Sequence, residues 1–306
     1  MVLEHIFPED WLEKKGRYAF LLGVIYSFVG IGLAWILFRN DPALVAVAFT
    51  SLLLLPELYK IFSIEERRES METDFSIKTL WRDDLDIVRI YVFLFLGIML
   101  SYSVLTLGMD SLQANSLFRE QLEIRFGSDL PVSAAEGGQG IDYSNVIDFP
   151  GTFNMDLFYG LLSNNFLVLL ACFIMALLTG DGAIFLISWN ASVWGTIFGI
   201  TAKGAATFTG ASSVVLFLLV LAIVFPHMMI EALSYFLAAI SGSVISKDVI
   251  LEKFASERFF EVFGLNLYLL LIALGFLLLG AVVETWVLDN VTIYNEIIKQ
   301  SFAAFS

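Results

Sequence analysis

The sequence predicts an all-α fold: a polytopic transmembrane helix bundle of about seven spans, with the sixth span broken at Pro226. Three observations lead to it. The 306 residues are 58% apolar and 16% charged, with a mean hydropathy of +0.81, whereas a soluble domain is about 45–50% apolar and about 25% charged. The apolar residues gather into stretches of about 20, the length at which a helix crosses about 30 Å of hydrocarbon. Inside those stretches, the few small and polar residues recur at helical spacing.

Seven spans follow in order: 18–38, 43–62, 88–107, 157–178, 183–202, 212–245 and 262–286. The segment before the first is charged and amphipathic, with no short apolar core or cleavage site, so that span is expected to serve as an uncleaved anchor. The sixth holds 34 residues, which as a straight helix would reach about 51 Å, well beyond the membrane core. Pro226 lacks a backbone donor and crowds the preceding turn, so a break or strong kink is expected there.

Lys and Arg counts set the orientation. With the N-terminus inside, 12 cationic residues flank the inner side and 5 the outer side. The chain is therefore expected in the cell membrane, multi-pass, with its N-terminus cytoplasmic and its C-terminus external. The organisation reads as a two-span extension (1–62), an inner elbow (63–87), a core (88–286) and an external tail (287–306). The elbow opens with Ser63-x-x-Glu66, a capping-box pattern, and suits a helix lying along the inner leaflet or a docking surface for another subunit. Within the core, the outer loop 108–155 is acidic, opposed only by Arg119 and Arg125. It should be helical over 115–126 and irregular over 128–143.

Small residues point to close helix packing. Gly23, Ser27, Gly30 and Ala34 form a stripe in the first span; Ser188, Ser192, Gly195 and Gly199 form one in the fifth. Either stripe could serve internal packing or a homodimer. Asn190 lies on another face of the fifth span, so that helix should have protein on two sides and sit centrally.

The polar residues set in apolar spans are Asn164, Asn165, Asn190, His227 and Glu231. Amides, an imidazole and a carboxyl are costly in hydrocarbon, so they should face protein or a wet cavity. His227 and Glu231 share a helix face at a spacing of four, which Ser234, Ala238 and Gly242 continue. These groups are expected to converge from three segments around the broken sixth span.

Several functions are disfavoured. No basic stripe exists to bind nucleic acid. Cys172 cannot form an intrachain disulfide and should be a buried small hydrophobe. No metal or other cofactor is expected, because a site would hold one His, one Glu and no usable Cys. Neither a Ser-His-Asp arrangement nor an HExxH motif is present, which disfavours catalysis.

The order of these motifs resembles the stage II sporulation protein M family. The matching residues are Ser163-Asn164-Asn165, Thr179-Gly180-Asp181-Gly182, Asn190-Ala191 with Gly195, and Pro226-His227-Met228-Met229-Ile230-Glu231 leading to Gly242. Ala191 and Met228 stand where that family usually has Gly. The resemblance covers 88–286. It implies a membrane subunit that anchors or organises a complex; in spore formers the family member belongs to a machine containing peptidoglycan-degrading enzymes. The expected function is thus a non-enzymatic scaffold in the bilayer. It would form an oligomer, a homodimer foremost, and meet other subunits through the elbow or the outer loop. The alternative is a small-solute or ion transporter using the polar site of the sixth span.

Overall fold

The structure, a computed structural model, describes residues 16–71, 77–126, 153–251 and 257–303. Among them the chain is entirely helical: α1 Gly16–Leu37, α2 Pro42–Met71, α3 Ile77–Gly108, α4 Ser111–Leu117, α5 Arg119–Phe126, α6 Met155–Thr179, α7 Ala183–Thr209, α8 Ser213–Leu251, α9 Glu257–Asn290 and α10 Thr292–Ala303. Seven of these are long and apolar enough to cross a membrane, and their apolar parts fall within a few residues of the spans read from hydropathy.

Local signals explain the helix ends. Pro42 opens α2, where a missing amide hydrogen costs nothing. The Asn154 side chain caps α6, accepting hydrogen bonds of 3.0 Å from the backbone N–H groups of Asp156 and Leu157. Gly180 ends α6 and Gly210 ends α7, both at positive φ (76° and 71°), a conformation that glycine adopts without a steric penalty. The turns they make are short, so α6, α7 and α8 alternate in direction, and α6 runs parallel to α8.

α7 is the central element. It packs against α2, α3, α5, α6, α8 and α10, and its apolar window is 67% buried, more than that of any other span. This is the position expected from its two functional faces. On one side stand α1, α2 and α3; on the other, α8 packs along α6 and α9. Rings lock the halves together, with Phe236 of α8 stacked on Tyr91 and edge-on to Phe95 of α3, and Phe95 edge-on to Trp194 of α7.

Two expectations need correction. The sixth span is not broken: α8 is one helix of 39 residues that runs through Pro226. Pro226 lies on an exposed face, while its neighbours His227 and Met228 are buried, so packing holds the rod although the carbonyl of Ala222 loses its donor. Pro56 is tolerated inside α2 in the same way. The rod of 34 membrane-compatible residues reaches about 51 Å and meets the length mismatch by tilting or by extending beyond the hydrocarbon.

The second correction concerns the elbow. α2 continues to Met71 and α3 begins at Ile77, so its helical parts extend the spans rather than forming a separate interfacial helix; 72–76 lie outside the described residues. The tail includes the helix α10, packed on α7. In the outer loop, the expected helix begins earlier, at Ser111, and is interrupted at Phe118 between α4 and α5. The expected irregular stretch 128–143 lies outside the described residues.

Candidate functional site

The small-residue stripes lie at helix crossings within this chain. A methyl group on Gly23 would stand 2.6 Å from the carbonyl oxygen of Leu94 in α3, and one on Gly30 would stand 2.8 Å from that of Ala46 in α2. One stripe therefore serves two neighbours; Ser27 and Ala34 beside them are fully buried. Gly97 of α3 completes the first crossing by packing on the carbonyl of Phe20. Gly195 sits on Met99 and Tyr102, and Gly199 on Ser103 and Thr106, which brings α7 and α3 into backbone contact. Ser188 and Ser192 continue that helix's buried surface, and Gly242 seats α8 on Phe173 and Ala176 of α6. At the two positions where the family usually has Gly, Ala191 and Met228 are fully buried and fill the space with side chain.

Polar side chains tie the helices across these crossings. The Ser103 hydroxyl donates to the carbonyl of Gly195 at 3.1 Å, and that of Ser241 to the carbonyl of Asn266 at 2.8 Å. Ser243 donates to the carbonyl of Gly180. Gln121 of α5 donates to Ser192 at 3.3 Å, and the backbone N–H of Asn154 donates to the Asp289 carboxylate at 2.7 Å. Each bond gives a buried or half-buried polar group a partner on another element.

The centre of the site is a pair of carboxyl groups. Glu231 lies near the midpoint of α8, 2% exposed, and its side chain meets that of Glu284 in α9. Gly280, one turn before Glu284, makes room for this: a methyl group there would come within 2.6 Å of the Glu231 Cγ. Tyr235, one turn along α8, is buried within electrostatic reach of both acids and of Cys172. Cys172 is itself buried, as expected.

The other singled-out residues lie on α6, α7 and α8. Asn165 is 8% exposed and accepts a hydrogen bond from Asn164 at 3.2 Å. Its depth matches that of Glu231, because α6 and α8 run parallel and each residue lies eleven positions before the Ala176–Gly242 contact. Asn190 donates to the carbonyl of Leu186 in its own helix at 2.8 Å. His227 is 5% exposed, and its Nδ1 has no hydrogen-bond partner among the described residues. Asn165 thus lies at the depth of Glu231, and the Asn190 amide is satisfied within its own helix.

Sequence reasoning passed over Glu284 and Gly280. The signal was present as Gly280-x-x-x-Glu284, a small residue and an acid on one helix face. Glu284 stands close to the end of the last span, where an acid reads as a boundary charge. Elsewhere, a cavity of about 570 Å³ opens where α1 turns into α2, lined by Trp35, Ile36, Arg39, Met109 and Leu112. No group of three or more His, Cys, Asp and Glu among the described residues is placed to hold a metal ion.

The fold and the site define a polytopic helical membrane protein whose core polar groups bind helix to helix. A family model described as Stage II sporulation protein M matches residues 90–287, and the chain belongs to that family. The matched region agrees with the extent of the motif resemblance, and the family is not known as one of enzymes. No curated protein and no solved structure matches the chain.

Proposed function

We propose that this chain is a non-enzymatic assembly subunit of the cell membrane, a scaffold that presents a rigid helical surface to a second copy and to other membrane proteins. The observation that carries this reading is how the buried polar groups are used. They join one helix to another at close-packed crossings, as Glu231 does against Gly280 and Glu284. Around that core, α6 and α9 have only 22% of their apolar windows buried, with Leu167, Leu178, Leu271 and Trp286 among the side chains facing outward. Such faces suit lipid and partner helices alike.

In this reading the N-terminus is cytoplasmic, the elbow 63–87 and the outer loop 108–155 offer docking elements on opposite sides, and a homodimer is the simplest assembly. A second reading, a transporter for small solutes or ions, draws on the Glu231 carboxyl buried near the middle of α8. The test compares full-length protein with Glu231→Gln and Glu231→Ala variants in liposomes, scoring thermal stability, cross-linked oligomer and ion flux. The assembly reading expects Glu231→Ala to lower stability and oligomer recovery together, with no flux from any of the three. A wild-type flux abolished in a folded, fully assembled Glu231→Gln variant would transfer the function to transport.

A further inference from the structure

The bundle is open at one corner, where three apolar spans end together. The span of α1 stops at Leu37, that of α2 begins at Pro42 and that of α3 stops at Gly108. The cavity of about 570 Å³ lies among these three points. The buried Pro42 and Leu117 form its floor, and Trp35, Ile36 and Leu112, which are 64%, 66% and 72% exposed, form its rim. Its walls are fixed by hydrogen bonds. The backbone N–H of Asp41 donates to the carbonyl of Phe38 at 3.2 Å, closing the turn that carries Arg39. On the other wall, the Lys203 ammonium of α7 donates to the carbonyl of Met109 and holds the corner between α3 and α4. Arg39 is the one charged side chain in the lining, and it has no ion pair among the described residues. Gln113 and Ser116 of α4 add hydrogen-bonding groups, whereas the acids of these turns, Asp41 and Asp110, lie outside the lining.

We infer that this cavity binds the headgroup of a glycerophospholipid, with Arg39 on the phosphate and the acyl chains leaving over Trp35 and Ile36. A guanidinium presents a planar fork of donors that matches two phosphate oxygens. The Gln113 amide and the Ser116 hydroxyl can donate to the ester or glycerol oxygens beside it. The rim runs into the outward face of α1, where Leu33 and Leu37 are also exposed, and gives the chains an apolar track. Trp35, in the last turn of its span, stands at the headgroup level that tryptophan favours. A soluble anion would use Arg39 and leave that apolar rim in water; a phospholipid covers both. The cavity takes one wall from α1 and α2 and the other from the family-matched region, so a bound lipid ties the N-terminal pair of helices to the core. The site goes beyond the assembly role and does not depend on it.

Photolabelling of the full chain tests this in dodecyl maltoside micelles, which contain no phosphate. The probe is phosphatidylglycerol with a diazirine in one acyl chain, and mass spectrometry maps the labelled peptides. Label should concentrate on residues 33–42 and 109–117, and unlabelled phosphatidylglycerol should compete it away. Diacylglycerol with the same chains, and inorganic phosphate alone, should compete severalfold less well. Arg39→Gln should cut labelling of those peptides severalfold and leave the outward faces of α6 and α9 labelled as before. Ser116→Trp, which fills the cavity from an exposed position and keeps Arg39, should do the same. Thermal unfolding checks that both variants fold. Label spread evenly over all the outward faces, or undiminished in both folded variants, overturns the site. Equal competition by diacylglycerol makes it an apolar groove without phosphate recognition, and equal competition by inorganic phosphate makes it a soluble-anion site; either result removes the inference.

Discussion

A single hydrogen atom at Gly280 decides whether α8 and α9 can close over Glu231. Gly280→Ala should destabilise the bundle by about 1–3 kcal/mol, because a methyl group forced into a filled crossing displaces side chains or backbone. Thermal unfolding in detergent measures it, and a neutral result would mean that the crossing is looser than its geometry. Outside the membrane, burial and the adjoining Asp41 hold the Glu120 carboxyl up at about 7, against an ordinary 4.5. The folded chain therefore binds this proton more tightly than the unfolded chain does. Stability from this group is greatest at low pH and falls as pH rises from 4.5 to about 7. The effect is modest, since Glu120 is half-exposed and screened. Thermal unfolding at about pH 5 and about pH 8 should show wild type losing more stability than Glu120→Gln over that interval.

At the scale of the element, α8 tests the idea that a proline decides a helix's fate. Pro226→Ala restores a donor to a helix that is already continuous and changes a residue on an exposed face. The expected change in unfolding free energy is within about 1 kcal/mol, because the packing that holds the rod is untouched. A large gain would mean that Pro226 strains the helix after all. By contrast, Gly97→Leu should separate α1 from α3, since the Gly97 Cα faces the backbone of Phe20 directly. Cysteine cross-linking between α1 and α3 should drop sharply while that between α8 and α9 persists.

For the whole molecule, the question is how the first two spans relate to the family-matched core. The family match begins at residue 90, which leaves α1 and α2 outside it. They nonetheless cover α3 and reach α7, and Gly23 and Gly97 interlock the two regions. Deleting 1–62 should therefore lower the unfolding temperature and broaden the size-exclusion profile. Supplying residues 1–71 as a separate chain should restore both, because helices formed independently in a bilayer can associate afterwards. A truncated core as stable as the full chain would make the extension a mere appendage.

Membrane class, the seven spans and the central place of α7 were legible in the chain itself. Hydrocarbon thickness and backbone hydrogen bonding leave a run of apolar residues only one regular form, and a helix with two distinctive faces must have neighbours on both. The buried face from His227 to Gly242 followed from periodicity alone. The partner of Glu231 did not, because Glu284 lies 53 positions away and only the crossing of α8 with α9 brings them together. The course of the helix through Pro226 was also decided by tertiary packing: a proline's local penalty of about 3 kcal/mol is outweighed when neighbouring helices clamp the residues beside it. Local chemistry names which groups need a partner in a membrane; the three-dimensional register of the helices chooses it.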